Sequence, residues 1–131
     1  MNNVIDTINS LPEMLSLKPA NDIQITDAEL QLRVRFSDEY KVYLKEFGAV
    51  MADGIELSGI AKSEHRSVVA MTKQERELNP KVPNNMYVIE NTHLDGVIIW
   101  QDSNGKVYRT QPNKEPVKIS DSMVDYIRNR T

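Results

Sequence analysis

The segment Gly96–Arg109, GVIIWQDSNGKVYR, decides the fold class of this 131-residue chain. It places runs rich in β-branched and aromatic residues on both sides of Asn104-Gly105. Asn and Gly tolerate the positive φ angles of a tight turn, so the segment predicts an antiparallel β-hairpin. Further strands are predicted from alternation and β-branched content at 54–60, 86–90 and 117–119.

Helices are predicted before and after these strands. The strongest begins at Ser37, a good N-cap, and ends at Gly48, which suits a left-handed position after a helix. Its apolar stripe has helical spacing and consists of Tyr40, Tyr43, Leu44 and Phe47. A shorter helix is predicted near the N-terminus from Val4 to Leu11, where Pro12 ends it.

Capping signals predict the remaining helices. Capping boxes start at Thr26 and at Thr72. Ile25 and Leu30 are expected to form a hydrophobic staple across the first of these boxes. Ser120 is expected to cap a C-terminal helix. The resulting class is α+β, a single domain in which helices flank a mostly antiparallel, twisted sheet.

The length suits one domain that folds without disulfides or metals. We expect residues 1–25 to form an N-terminal helix and, from residue 16 to 25, a surface connector, and residues 26–131 to form the main α+β domain. The chain has no cysteine, its start lacks a basic signal-peptide region, and no apolar run reaches about 18 residues. These features predict a cytoplasmic protein without a membrane segment.

The net charge of −3 is unevenly distributed. Residues 1–56 contain ten acids and five bases, whereas residues 57–131 contain nine acids and eleven bases. This balance opposes nucleic-acid binding, which gains affinity from clustered cations, and favours a basic protein partner. A small basic patch lacks an ordered aromatic platform, so a solvated face explains it better; its members are Arg33, Arg35, Arg109, Lys114 and Lys118.

The sequence offers little for catalysis. His65 and His93 are its histidines, and neither has the spacing that would place two metal ligands on one helical face. Nucleophile-elbow and phosphate-binding glycine motifs are also missing from the sequence. We therefore predict no enzymatic activity, no metal and no cofactor.

The segment Phe36–Gly48 resembles the signature helix of the SUKH superfamily, with Ser37 in place of the usual proline. Gly48-Ala49-Val50 replaces the run of glycines that usually follows. The resemblance continues in the same order over roughly residues 26–128, through Thr72–Arg76, Asn79-Pro80, Val82-Pro83, Tyr87–Glu90, Gly96–Trp100, Asp102–Tyr108 and Ile119–Ile127.

This resemblance implies a bacterial immunity protein that binds a toxin, often a nuclease, without chemistry of its own. The alternative is a regulatory or scaffolding module of the same fold. A monomer or a weak homodimer is expected. An acidic inhibitor surface would steer a basic toxin, while buried apolar anchors would supply most of the affinity.

Asp53 and Glu56 are the preferred partner-binding residues because they have no obvious local role. Asp38 and Glu39 are further candidates, although acids in a first helical turn also stabilise the helix N-terminus. Asp95 and Asp102 bracket the long hairpin strand, and Asp102 also suits a turn. For Trp100, core burial is favoured; an exposed Trp100 would instead be the natural anchor for a partner.

Overall fold

The computed structural model describes residues 3–130. Its helices are α1 (Val4–Asn9), α2 (Asp22–Leu32), α3 (Asp38–Phe47), α4 (Val68–Leu78) and α5 (Met123–Arg130). Its strands are β1 (Leu15–Ser16), β2 (Val50–Ala52), β3 (Ile55–Leu57), β4 (Met86–Asn91), β5 (Ile98–Asp102), β6 (Val107–Thr110) and β7 (Val117–Ser120). The strands pair antiparallel in chain order in a seven-stranded sheet. The α+β prediction, a single domain with a mostly antiparallel sheet flanked by helices, is confirmed.

The sheet has two faces with different coverings. One face, which we call the helix face, packs against α1, α2, α3 and α5 in the main core. Alternate residues of β4 and β5 point to the opposite face, which we call the back face. There Val88, Ile98 and Trp100 pack with Met71 of α4 and with Val82. The back face is therefore covered over β4 and β5.

The predicted hairpin is confirmed as β5 and β6, with Gln101 opposite Val107. The amide of Gly105 donates to the Asp102 carbonyl at 3.0 Å, and Gly105 has a φ of 87°. That positive φ explains why a glycine follows Asn104.

Helix α3 also follows its prediction. The Ser37 hydroxyl accepts a hydrogen bond from the Tyr40 amide at 3.0 Å, and Gly48 follows the helix with a φ of 72°. The predicted apolar stripe is buried. Phe36 and Tyr40 extend an edge-to-face aromatic cluster to Tyr87 of β4, which anchors α3 on the helix face.

The predicted start of α2 is wrong by about one turn. Asn21 caps the helix, because its side-chain oxygen accepts a hydrogen bond from the Gln24 backbone amide at 2.8 Å. In return, the Asn21 backbone amide donates to the side-chain oxygen of Gln24 at 3.0 Å. This reciprocal pair places Thr26 inside the helix. The predicted staple is also wrong, since Ile25 is buried whereas Leu30 is 71% exposed.

The caps of the last two helices differ from their predictions. Helix α4 starts after Ser67, whose hydroxyl accepts from the Ala70 amide. Thr72 is buried within α4, and its hydroxyl accepts from the Val88 amide at 2.9 Å. Ser120 ends β7, whereas Ser122 accepts from the Asp125 amide at the start of α5. In both helices the observed cap is a serine that lies within five residues of the predicted cap.

Residues 3–25 contribute side chains to the same core as the rest of the chain. Val4 and Ile8 of α1 are buried in the main core. Leu15 of β1 pairs with Met51 of β2, in a part of the sheet for which no strands were predicted. The expected surface connector from residue 16 to 25 instead contains the end of β1 and the first turn of α2.

Candidate functional site

Five of the six predicted partner-binding acids lie at two opposite ends of the sheet. Antiparallel pairing of β3 with β4 puts the turn at Asp53 beside the loop that carries Asp95. The strand β5 then runs to the opposite end of the sheet, where Asp102 lies. Asp38 and Glu39 lie at that same end, because Glu39 bonds Gln101. The structure therefore does not bring all the predicted acids into one patch.

Glu39 has a structural role that the sequence did not reveal. Its carboxylate accepts hydrogen bonds from the amides of Met123 at 2.7 Å and Val124 at 3.1 Å. These amides belong to the first turn of α5, whose N–H groups have no partners within the helix. The Gln101 side chain also donates to Glu39, at 3.0 Å. Glu39 therefore joins α3, β5 and α5.

Asp102 is occupied in a similar way. Its carboxylate accepts from the amides of Asn104 at 2.9 Å and Lys106 at 3.0 Å, and from the Tyr108 hydroxyl at 3.3 Å. These bonds fix the β5–β6 turn, and Asp102 is only 6% exposed. Asp38 is exposed in the first turn of α3, where it favours the helix N-terminus.

Trp100 is completely buried. Its indole N–H donates to the Thr110 hydroxyl at 2.9 Å, so the polar atom of the ring also has a partner within the chain. This is the core position that the sequence favoured. The condition for a partner anchor, an exposed indole, is not met.

Asp53 and Asp95 remain exposed in neighbouring loops. Asp53 forms the β2–β3 turn with Gly54, and its amide donates to the Pro12 carbonyl at 3.1 Å. Asp95 lies between β4 and β5 with a φ of 54°. The backbone of each residue shapes its loop. Within residues 3–130, neither carboxylate accepts a hydrogen bond from a protein donor.

Glu56 belongs to a row of side chains across the back face of β1, β2 and β3. Leu15 pairs with Met51, and Met51 pairs with Glu56. Directly paired residues in antiparallel strands point to the same face, and the neighbours of Met51 and Glu56 on their strands belong to the main core on the other face. We call Leu15, Met51 and Glu56 the open row.

The side chains of the open row are partly accessible to solvent. Leu15 is 68% exposed, and Met51 and Glu56 are half-buried. Arg66, from the loop before α4, lies over the row: its guanidinium donates to the Met51 sulfur at 3.5 Å and approaches Glu56 Oε1 at 3.8 Å. This arrangement offers an apolar strip ending in a carboxylate whose ion pair is long. None of the predicted site residues was Leu15, Met51 or Arg66.

The strand that carries Glu56 is anchored from the helix face by Glu90. The buried Glu90 carboxylate accepts from the Glu56 amide at 2.9 Å, from the Tyr126 hydroxyl and from Arg130 at 3.1 Å. Burial raises the pKa of the Glu90 carboxyl above its usual range, while these donors oppose that rise. The hydrogen bonds of Glu90 therefore hold the backbone of β3 beneath the open row.

The described residues also bear on chemistry and membranes. Within residues 3–130, no group of three or more His, Asp and Glu side chains is arranged to hold a metal ion. His65 and His93 are both exposed. Over the same range, no helix combines the length and apolar character that crossing a membrane requires.

Comparison with known proteins identifies the family of this chain. A search of curated proteins found no match to the chain. The family model SUKH_5, described as SMI1-KNR4 cell-wall, matches residues 1–131. This match covers the whole chain and agrees with the α+β fold described above, so the chain belongs to the SMI1-KNR4 family of the SUKH superfamily.

Proposed function

We propose that this protein is an immunity protein that binds and neutralises a toxin in the cytoplasm. Membership of the SMI1-KNR4 family supports an immunity-type role. The observation that carries the proposal is the open row, where Leu15 is 68% exposed although it lies on a paired strand of the sheet. Contiguous exposed apolar side chains with a polar rim are typical of surfaces that bind another protein.

The charges beside the open row suit a basic toxin. Asp53 and Asp95 lie at the same end of the sheet, and Glu56 is within the row. A nuclease toxin carries cations near its substrate groove, because it must attract phosphates. Acids on the immunity protein would speed the encounter with such a surface. Glu56 can exchange its 3.8 Å contact with Arg66 for a cation of the toxin.

Regulation is the second candidate, supported by the words "cell-wall" in the family description. A regulatory module would use the same kind of surface on a different partner. Co-expression separates the two functions. The gene neighbouring the one for this chain is examined for a toxin-like product; the chain is produced together with that product, and cell survival and co-purification are measured. Survival with co-purification supports immunity. Equal killing with and without the chain, and no co-purification, contradicts it.

A charge-matched pair of variants tests the site. Asp53→Asn combined with Glu56→Gln removes two acids near the open row, and we expect association with the toxin at low salt to slow by about tenfold, with a weaker salt dependence. Glu46→Gln combined with Asp125→Asn makes the same charge change at exposed positions of α3 and α5. If both pairs slow association equally, general charge rather than the open row steers binding.

A further inference from the structure

Helix α2 has apolar side chains on two opposite sides. Ile25, Ala28 and Leu32 are buried in the main core. Ile23 is 80% exposed and Leu30 is 71% exposed. Residues seven apart on a helix lie nearly in line, about 10.5 Å from each other along the axis. The outer side of α2 thus has an apolar ridge at its centre.

Two surface depressions adjoin the ridge. A shallow depression of about 410 Å³ lies along it, lined by Asp22, Ile23, Thr26, Asp27 and Leu30. Asp27 also lines a second depression, of about 350 Å³, between α2 and the loop before α4. The backbone of that loop is held closely, since a Cβ added to Gly59 would lie 1.8 Å from the Gly48 carbonyl oxygen. The two depressions share Asp27, so they form one continuous surface with the ridge.

Charges around the ridge indicate what it binds. Asp22 and Asp27 lie on its two flanks. The Asp22 partner is Lys45 at 2.9 Å, in a pair whose side chains are 81% and 55% exposed, and such surface pairs are weak. Within residues 3–130, the Asp27 carboxylate accepts a hydrogen bond from the neutral side-chain amide of Gln31 at 2.7 Å. Both carboxylates are therefore available to cations of a partner.

A second copy of the chain fits the ridge less well. A two-fold axis that places Ile23 against Leu30 of another copy also brings the two Asp27 carboxylates close together, where like charges repel. Arg33, at the C-terminal end of α2, lies too far along the helix to neutralise that centre. Charge complementarity thus favours a different protein with lysine or arginine beside its apolar anchors.

We propose that the α2 ridge docks an amphipathic, basic helix of the protein partner, with two apolar side chains about two turns apart seated around Thr26. If the partner is the toxin, this inference rests on the proposed function and adds a second contact surface beyond the open row. Exposed apolar anchors of this kind contribute most of the binding energy once they are desolvated.

The test uses the whole chain and a defined probe. The probe is an alanine-based helical peptide with leucines at positions i and i+7 and lysines on both flanks, titrated into the isotope-labelled protein and followed by amide NMR shifts. We expect saturable shifts in α2 and the loop before α4, and at least about fivefold weaker binding of a matched peptide with glutamates on the flanks.

Ridge variants supply the control. Ile23→Ser combined with Leu30→Ser should weaken binding of the lysine peptide by at least about tenfold, because both side chains are exposed and their loss leaves the core intact. Leu78→Ser combined with Leu94→Ser removes apolar side chains that are 64% and 65% exposed elsewhere, and should leave binding unchanged. Absence of binding, or equal binding by both double variants, overturns the proposal. A wild-type dimer that the ridge variant abolishes in sedimentation would assign the ridge to a second copy and overturn it too.

Toxin co-expression separates this inference from the proposed function. If the wild-type chain protects cells and the ridge variant protects them equally well, the ridge is not a toxin contact, and the immunity function stands. If the wild-type chain fails to protect but its ridge still binds the lysine peptide, the ridge is a docking site and the immunity function is wrong.

Discussion

The back face of the sheet is used differently in its two halves. Over β4 and β5 it is covered by α4 and the segment after it, and Trp100 and Val88 are completely buried. Over β1 to β3 the side chain of Arg66 lies across it, and Leu15 is 68% exposed. The apolar side chains of the covered half therefore hold the fold, whereas Leu15 in the open half stays accessible to solvent.

The largest expected effect compares the apolar residues of the two halves. Trp100→Ala should lower the free energy of unfolding by about 3–5 kcal/mol, because it leaves a cavity in the back-face core. Leu15→Ala should change it by less than about 0.5 kcal/mol, because the leucine is mostly exposed. Urea unfolding of both variants measures the difference. Similar values for the two would mean that the open half is as tightly packed as the covered half.

A smaller effect compares the glutamates Glu39 and Glu56. Glu39→Ala removes the acceptor for two amides of α5 and for Gln101, and should destabilise the protein by about 2 kcal/mol. Glu56→Ala removes a half-exposed contact of 3.8 Å with Arg66 and should cost less than about 0.5 kcal/mol. The same urea measurement applies. A costly Glu56→Ala would show that Glu56 serves the fold rather than a partner.

These glutamates also show how far sequence can predict this site. Helix α3 and the β5–β6 hairpin were predictable, because Ser37, the apolar stripe and Asn104-Gly105 are local signals. The role of Glu39 was not, since it binds amides 84 and 85 residues further along the chain. No local pattern encodes that contact.

The open row was only partly predictable. Asp53-Gly54 is a recognised hairpin turn signal, and reading it as a turn would have paired β2 with β3 and placed Met51 opposite Glu56. The strand predicted from alternation instead begins at Gly54. The exposure of the row depends on where α4 lies, which is set by contacts such as that of Thr72 with Val88. Tertiary packing, not local propensity, decides which half stays open.

The smallest expected effect concerns Glu90, whose buried carboxyl holds β3 beneath the open row. Burial raises the folded-state pKa of Glu90, so the native state binds more protons than the unfolded chain from about pH 4.3, the usual glutamate pKa, up to the raised value. The contribution of Glu90 to stability is therefore complete below that window and is lost as pH rises through it. Glu90→Gln removes this titration, and its unfolding free energy, measured in urea from pH 4 to 8, should fall less with rising pH than that of the wild type.

Tyr126→Phe is the matched variant, because the Tyr126 hydroxyl donates to Glu90 and is the strongest group that holds its pKa down. Losing that donor should raise the Glu90 pKa further and extend the decline in stability to higher pH, the opposite direction from Glu90→Gln. Curves that stay parallel to the wild type in both variants would show that Glu90 has the same pKa in the folded and unfolded states. Glu90 would then be ionised above about pH 4.3 in both states, and its contacts would add no pH dependence to the stability of the strand behind Glu56.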